Sequence, residues 1–85
     1  MGRQKTLTAQ ILSDSGVLFN GECNILFVPS RRDVVAIMPQ HTPLIMMLGD
    51  GEIRVNNGRE TIFRTKASSG VLYVADNQAS VLVNA

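Results

Sequence analysis

Turn-forming residues interrupt this sequence about every ten positions, leaving apolar stretches of strand length and none of helix length. Runs rich in Val, Ile, Leu and Thr occupy 6–12, 17–19, 22–28, 34–38, 44–48, 52–56, 60–66, 70–75 and 79–84. Between them stand Asp14-Ser15-Gly16, Asn20-Gly21, Pro29 to Asp33, Gly49-Asp50-Gly51, Asn56-Asn57-Gly58 and Asp76-Asn77. Asn57-Gly58 is the strongest hairpin signal, because a type I′ turn needs positive φ at both central residues. Its flanks agree. Glu52-Ile53-Arg54-Val55 alternates polar and apolar, and Thr61, Phe63 and Thr65 oppose Glu60, Ile62 and Arg64. The expectation is an all-β fold in one domain, residues 1–85: a sandwich or barrel of nine short strands.

With 85 residues and 45% apolar content, the chain has material for one thin core and no more. Four aromatics (Phe19, Phe27, Phe63 and Tyr73) leave that core to aliphatic side chains. Eight basic residues against seven acidic ones give a net charge of +1, and the basic ones are scattered apart from Arg31-Arg32. Such a balance builds no field for a polyanion, so nucleic acid is not an expected partner. Cys23 is the single cysteine, which excludes an internal disulfide and suits a reducing compartment. The start, Met1-Gly2-Arg3-Gln4-Lys5-Thr6, is polar and unlike a signal peptide. It also fits the loose myristoylation pattern, which recurs by chance.

Alternation fails in one informative place. Leu44-Ile45-Met46-Met47-Leu48 is apolar on both faces, and Val71 to Ala75 nearly so. A strand with two dry faces needs cover on both, whereas a two-layer sandwich has one interior. Either a loop or edge of the same chain covers the second face, or another protein does. Adjacent methionines suit the second answer, because their flexible side chains repack against varied surfaces.

Chemistry is poorly supplied. One His and one Cys cannot build a zinc site. A Cys23–His41 nucleophile pair competes with a plainer reading, in which Cys23 is a small buried hydrophobe on a strand face shared with Ile25 and Phe27. No Gly-x-Ser-x-Gly elbow and no Gly-x-x-x-x-Gly-Lys loop is present. No catalytic residue, metal or cofactor is expected. His41 lies between Pro39 and Pro43, which fix a rigid extended corner. It either caps that corner through the backbone or contacts a partner. Arg31-Arg32-Asp33 reads as a solvated tip or as a charged docking loop.

That corner carries a resemblance. Ile37-Met38-Pro39-Gln40-His41-Thr42-Pro43-Leu44 is similar to the I-L-P-G-H-A-P-L signature of the epsilon subunit of F-type ATP synthases. The likeness runs colinearly through Phe19-x-Gly21-Glu22, Pro29, Gly51-Glu52-Ile53-Arg54-Val55 and Gly70-Val71-Leu72-Tyr73-Val74, over residues 7 to 85. The resemblance implies a sandwich of two roughly five-stranded, mainly antiparallel sheets. It further implies a non-catalytic rotor subunit that grips the gamma subunit and rests on the c-ring. Ser13, His41 and Met46 would then lie toward gamma, and Arg31, Arg32 and Asp33 toward the c-ring. Such a subunit is peripheral, on the cytoplasmic face of the bacterial inner membrane.

Ala36 and Ser69 stand at positions where the family usually has Gly, and Arg31-Arg32-Asp33 replaces a loop that is commonly acidic and Gly-rich. The sequence ends at Ala85, before the position of the family's C-terminal helical hairpin, so neither self-inhibition nor nucleotide binding is expected. The competing reading is a small OB-like barrel for single-stranded nucleic acid, which would need aromatic platforms in a basic groove.

Overall fold

Nine strands form in a computed structural model of the chain, which describes residues 5–84. They are β1 (Leu7–Ser13), β2 (Gly16–Cys23), β3 (Ile25–Pro29), β4 (Val34–Ile37), β5 (Leu44–Leu48), β6 (Gly51–Asn57), β7 (Glu60–Ala67), β8 (Ser69–Ala75) and β9 (Gln78–Asn84). Met1 and Gly2 of the myristoylation pattern lie outside the described residues. Two sheets result, one of five strands in the order β2-β1-β9-β8-β5 and one of four in the order β4-β3-β6-β7. Among the described residues, all pairings are antiparallel except β1 with β9. The fold is the β-sandwich expected, with the second sheet one strand smaller.

The run at 22–28 is not one strand. The chain leaves the first sheet after Cys23 and enters the second at Ile25, with Asn24 as the corner. Asn24 Nδ2 donates to the Lys5 carbonyl at 2.9 Å, and its Oδ1 accepts from the Gly58 amide at 2.7 Å. Changing sheets also changes which parity faces inward. Cys23 is buried with Leu26 and Val28, not with Ile25 and Phe27 as the single-strand reading had it. Asn20-Gly21, read as a break, lies inside β2, which bulges at Leu18 where Ile11 pairs Phe19 and Leu12 pairs Val17.

Hairpin geometry also differs from expectation by one residue. Asn57 pairs Glu60, so the β6–β7 turn is Gly58-Arg59, with positive φ (61°) at Gly58 alone. That places Gly first, as in a type II′ turn. Positive φ at both central residues occurs instead at Asp76 (52°) and Asn77 (61°), between β8 and β9.

The core lies between the sheets. Leu7, Ala9 and Ile11 of β1, Leu72 and Val74 of β8, and Val81 and Val83 of β9 face Leu26, Val28, Ile37, Ile53 and Val55 of the smaller sheet. Phe19 and Phe63 stack with centroids 5.3 Å apart, closing the β2/β7 side of the sandwich. Asn56, the one buried polar residue among those described, is satisfied by the Thr61 hydroxyl, which donates to its Oδ1 at 3.0 Å.

Candidate docking surface

Outward side chains of the five-stranded sheet form rows set by the register. One row crosses all five strands, Met47–Val71–Leu82–Leu12–Val17, and is apolar throughout. The next is Ile45–Tyr73–Ser80–Gln10–Asn20, apolar on the β5 side and polar on the β2 side. A third, Ala75–Gln78–Thr8–Glu22, carries the first charge. Ile45 is 69% exposed, Met47 66%, Val17 59%, and Tyr73 and Leu82 52% each. The apolar row floors a shallow concavity of about 660 Å³, rimmed by Ser13, Asp14 and Asn84.

The outer face of the other sheet is largely charged, with exposed apolar residues at its two edge strands, Val34 and Ile62. Glu52 lies 3.8 Å from Arg54 and 3.9 Å from Arg64, and the Arg54 guanidinium sits 4.7 Å over the Phe27 ring. Charges there cover the apolar atoms beneath them. The surplus apolar surface read at 44–48 therefore belongs to one face, and it extends across β8, β9, β1 and β2. A contiguous patch of this kind marks an interaction site.

Met46 points into the sandwich, half-buried against the core, while Ile45 and Met47 point out. Ser13 lies at the end of β1 beside the concavity, and its Oγ accepts from the Ser15 amide at 3.2 Å. His41 occupies the β4–β5 connection at the opposite end of the sandwich. Its Nδ1 lies 2.7 Å from the Thr42 carbonyl. A carbonyl only accepts, so Nδ1 is the donor in this contact. The backbone-capping reading of His41 is thus realised. Gln40 holds positive φ (67°) where the resembling signature has Gly, and its amide donates to Asn77 Oδ1 at 2.8 Å.

Arg31, Arg32 and Asp33 sit together, all exposed, at the tip between β3 and β4. Ser30 closes this tip. Its Oγ accepts from the Asp33 amide at 3.0 Å, and its hydroxyl donates to the Asp33 carbonyl at 2.7 Å. The Gly49 amide ties the base of the loop to the Pro29 carbonyl at 2.9 Å. The tip and Ser13 share one end of the sandwich; His41 and the 58–59 and 76–77 turns share the other.

Cys23 is fully buried, and burial pushes its thiol up to about 11, away from the reactive thiolate. Among the described residues, no three His, Cys, Asp or Glu side chains cluster as metal ligands would. The aromatics are dispersed. Phe19 and Phe63 pack against the core, Phe27 lies under Arg54, and Tyr73 sits on the apolar face.

Tyr73 lies in the second two-faced run, 71–75, whereas Leu12, Val17 and Leu82 carry much of the face without standing out in the sequence. Leu82 did leave a trace: Ala79, Val81 and Val83 are in phase, so an apolar residue between them must point outward.

A two-sheet β-sandwich with one charge-poor apolar face is the class of domain that the described residues define. Residues 6–85 match the family described as ATP synthase, Delta/Epsilon chain, beta-sandwich domain. The chain belongs to that family, as an epsilon-type domain. It is 38% identical over 81 residues to the ATP synthase epsilon chain of Nitrosococcus oceani, covering 93% of this chain and 56% of that one. It is 31% identical over 78 residues to the epsilon chain of Leptospira borgpetersenii, covering 92% and 61%. The chain thus spans somewhat over half the length of these relatives. Its fold also matches a chain of the Euglena gracilis mitochondrial ATP synthase (TM-score 0.84, 10% identity, 98% of this chain and 53% of that one). A second match is to the central stalk and c-ring structure of the Tetrahymena thermophila enzyme (TM-score 0.75, 12% identity, 100% and 67%).

Proposed function

We propose that this chain is a non-catalytic rotor subunit that bridges the gamma subunit and the c-ring, coupling ion movement to ATP synthesis or hydrolysis. The observation that carries this reading is the uncharged row Met47–Val71–Leu82–Leu12–Val17, which a gamma surface would cover. The exposed tip Arg31-Arg32-Asp33, held in shape by Ser30, is the element offered to the polar loops of the ring. Ser13 at the concavity and the His41 ring would add polar contacts to gamma at opposite ends of the sandwich. Met46 would serve indirectly, by holding β5 against the core.

Mechanically the subunit acts as a clamp. Two hydrogen-bonded sheets over a buried aliphatic core deform little under load, so torque at the tip would pass to the face without being absorbed. Its place would be peripheral, on the cytoplasmic side of the membrane, held through the complex.

Co-expression with the gamma subunit of the same genome tests the proposal. Wild-type chain should co-purify with gamma, Leu82→Asp and Met47→Asp should be lost, and Arg64→Asp on the opposite sheet should be retained. Equal retention of Leu82→Asp and wild type would refute the assignment of the face.

A further inference from the structure

We infer that β5 is a self-complementary sheet edge through which two copies of this chain pair, antiparallel, about Met46. Two five-stranded sheets would thereby join into one of ten.

The two sheets have four edge strands: β2, β5, β4 and β7. Proteins blunt such edges with bulges, charges, proline or brevity. β2 has its bulge at Leu18 and ends in Gly21-Glu22-Cys23. β7 is bulged at Ile62, where Val55 pairs Phe63 and Asn56 pairs Thr61, and it carries Glu60, Arg64 and Lys66. β4 has four residues and is followed closely by Pro39. β5 is also short, with five residues and Pro43 just before it, but it has no bulge, pairing Leu44 through Leu48 with Val74 through Gly70 in unbroken register, and no charge or proline within it. Alternate residues of an antiparallel edge strand aim their N–H and C=O groups away from the neighbour. Among the described residues, β8 is the strand that pairs with β5.

The sequence of β5 reads nearly the same in both directions. Antiparallel pairing about Met46 sets Leu44 against Leu48 of the second copy, Ile45 against Met47, and Met46 against Met46. Like sizes meet, and no like charges approach across the two-fold axis. On the outer face the two most exposed apolar side chains, Ile45 and Met47, cover each other. Val34 of β4, the edge on the same side of the sandwich, is also 60% exposed, whereas the β2/β7 side is shut by Phe19 and Phe63. An isologous pairing uses up both β5 edges, so it stops at the dimer.

Sedimentation of the chain alone tests this. The mass should rise from 9.2 kDa toward twice that as concentration climbs from about 5 to about 500 µM, the range suited to an interface at the small end of the scale. Ile45→Glu and Met47→Lys should each sediment as monomers across that range. Mixed in equal amounts they should form a heterodimer, because the carboxylate introduced at position 45 of one chain then faces the ammonium introduced at position 47 of the other. Val17→Lys, at the far side of the same sheet, should dimerise like wild type. The mixing arm guards against misfolding, since chains that failed to fold would not be rescued by each other. A monomer at all concentrations overturns the inference. So does loss of the dimer in Val17→Lys, which would signal face-to-face packing, or failure of the mixture to associate. A monomeric wild-type chain that still retains gamma would refute β5 pairing while leaving the proposed function standing.

Discussion

Two glycines separate steric from conformational demands in this fold, and replacing each with alanine measures them. Gly49 is buried, and a Cβ there would lie 2.4 Å from the Ser30 carbonyl oxygen and 2.7 Å from its carbon. Those are backbone atoms, so the loop must retreat by about 1 Å to reach ordinary contact, straining the Gly49–Pro29 hydrogen bond. Overpacking of this kind costs about 1–3 kcal/mol, and a weakened hydrogen bond adds about 1 kcal/mol, giving about 2–4 kcal/mol for Gly49→Ala. Gly58 has open space around its Cβ position, and its difficulty is φ alone. Left-handed backbone costs alanine about 1–2 kcal/mol, partly offset by the lower entropy of the unfolded chain, leaving about 0.5–1 kcal/mol. For a domain of this size each kcal/mol moves Tm by about 4–8 °C. Thermal melts followed by circular dichroism should thus show Gly49→Ala down by about 8 °C or more and Gly58→Ala by about 2–8 °C. A Gly49→Ala protein that melts as high as Gly58→Ala would refute the packing argument for the loop that carries Arg31-Arg32-Asp33.

Three further outcomes follow from side-chain geometry. Asn77 holds positive φ while its Nδ2 donates to the Thr6 carbonyl at 2.9 Å and its Oδ1 accepts from Gln40. Urea titration should show Asn77→Gly destabilised by about 1–3 kcal/mol, as both side-chain bonds are lost, and Asp76→Gly unchanged or slightly stabilised. Burial raises the Cys23 thiol from its ordinary 9.0 to about 11, so the native state keeps a proton that the unfolded chain releases. Its contribution is full below pH 9 and is lost as pH rises through 11. The wild-type stability curve should fall more steeply there than that of Cys23→Ala. Native Cys23 should also resist thiol reagents at about pH 8 until the chain is unfolded.

What the sequence disclosed followed from pattern, and what it hid followed from phase. Nine runs and their punctuation sufficed for an all-β sandwich or barrel, because strand period and turn chemistry are local; the choice of sandwich came from the family resemblance. Leu44 to Leu48 declared a two-faced strand but could not say which parity faces water, since every position is apolar. Pairing decides it: Leu72 and Val74 of β8 are buried, so Tyr73 and its partner Ile45 face out. Asn24 was invisible as a corner because no composition change marks it; its role comes from bonds to Lys5 and Gly58, distant in sequence. The apolar row was likewise dispersed over five strands and existed only once the register aligned them. Charge gave the tip at 31–33 directly, as a cluster in a loop after Pro29 is exposed almost by necessity.

Oxidative footprinting of the chain with and without gamma, at about 1 µM to keep any self-pairing negligible, bears most directly on the docking face. Hydroxyl radicals should modify Met47 and Tyr73 readily in the free chain and several-fold less once gamma is bound, while Phe27, on the outer face of the other sheet, keeps its free-state reactivity. Unchanged labelling of Met47 in a complex shown to have formed would contradict the account.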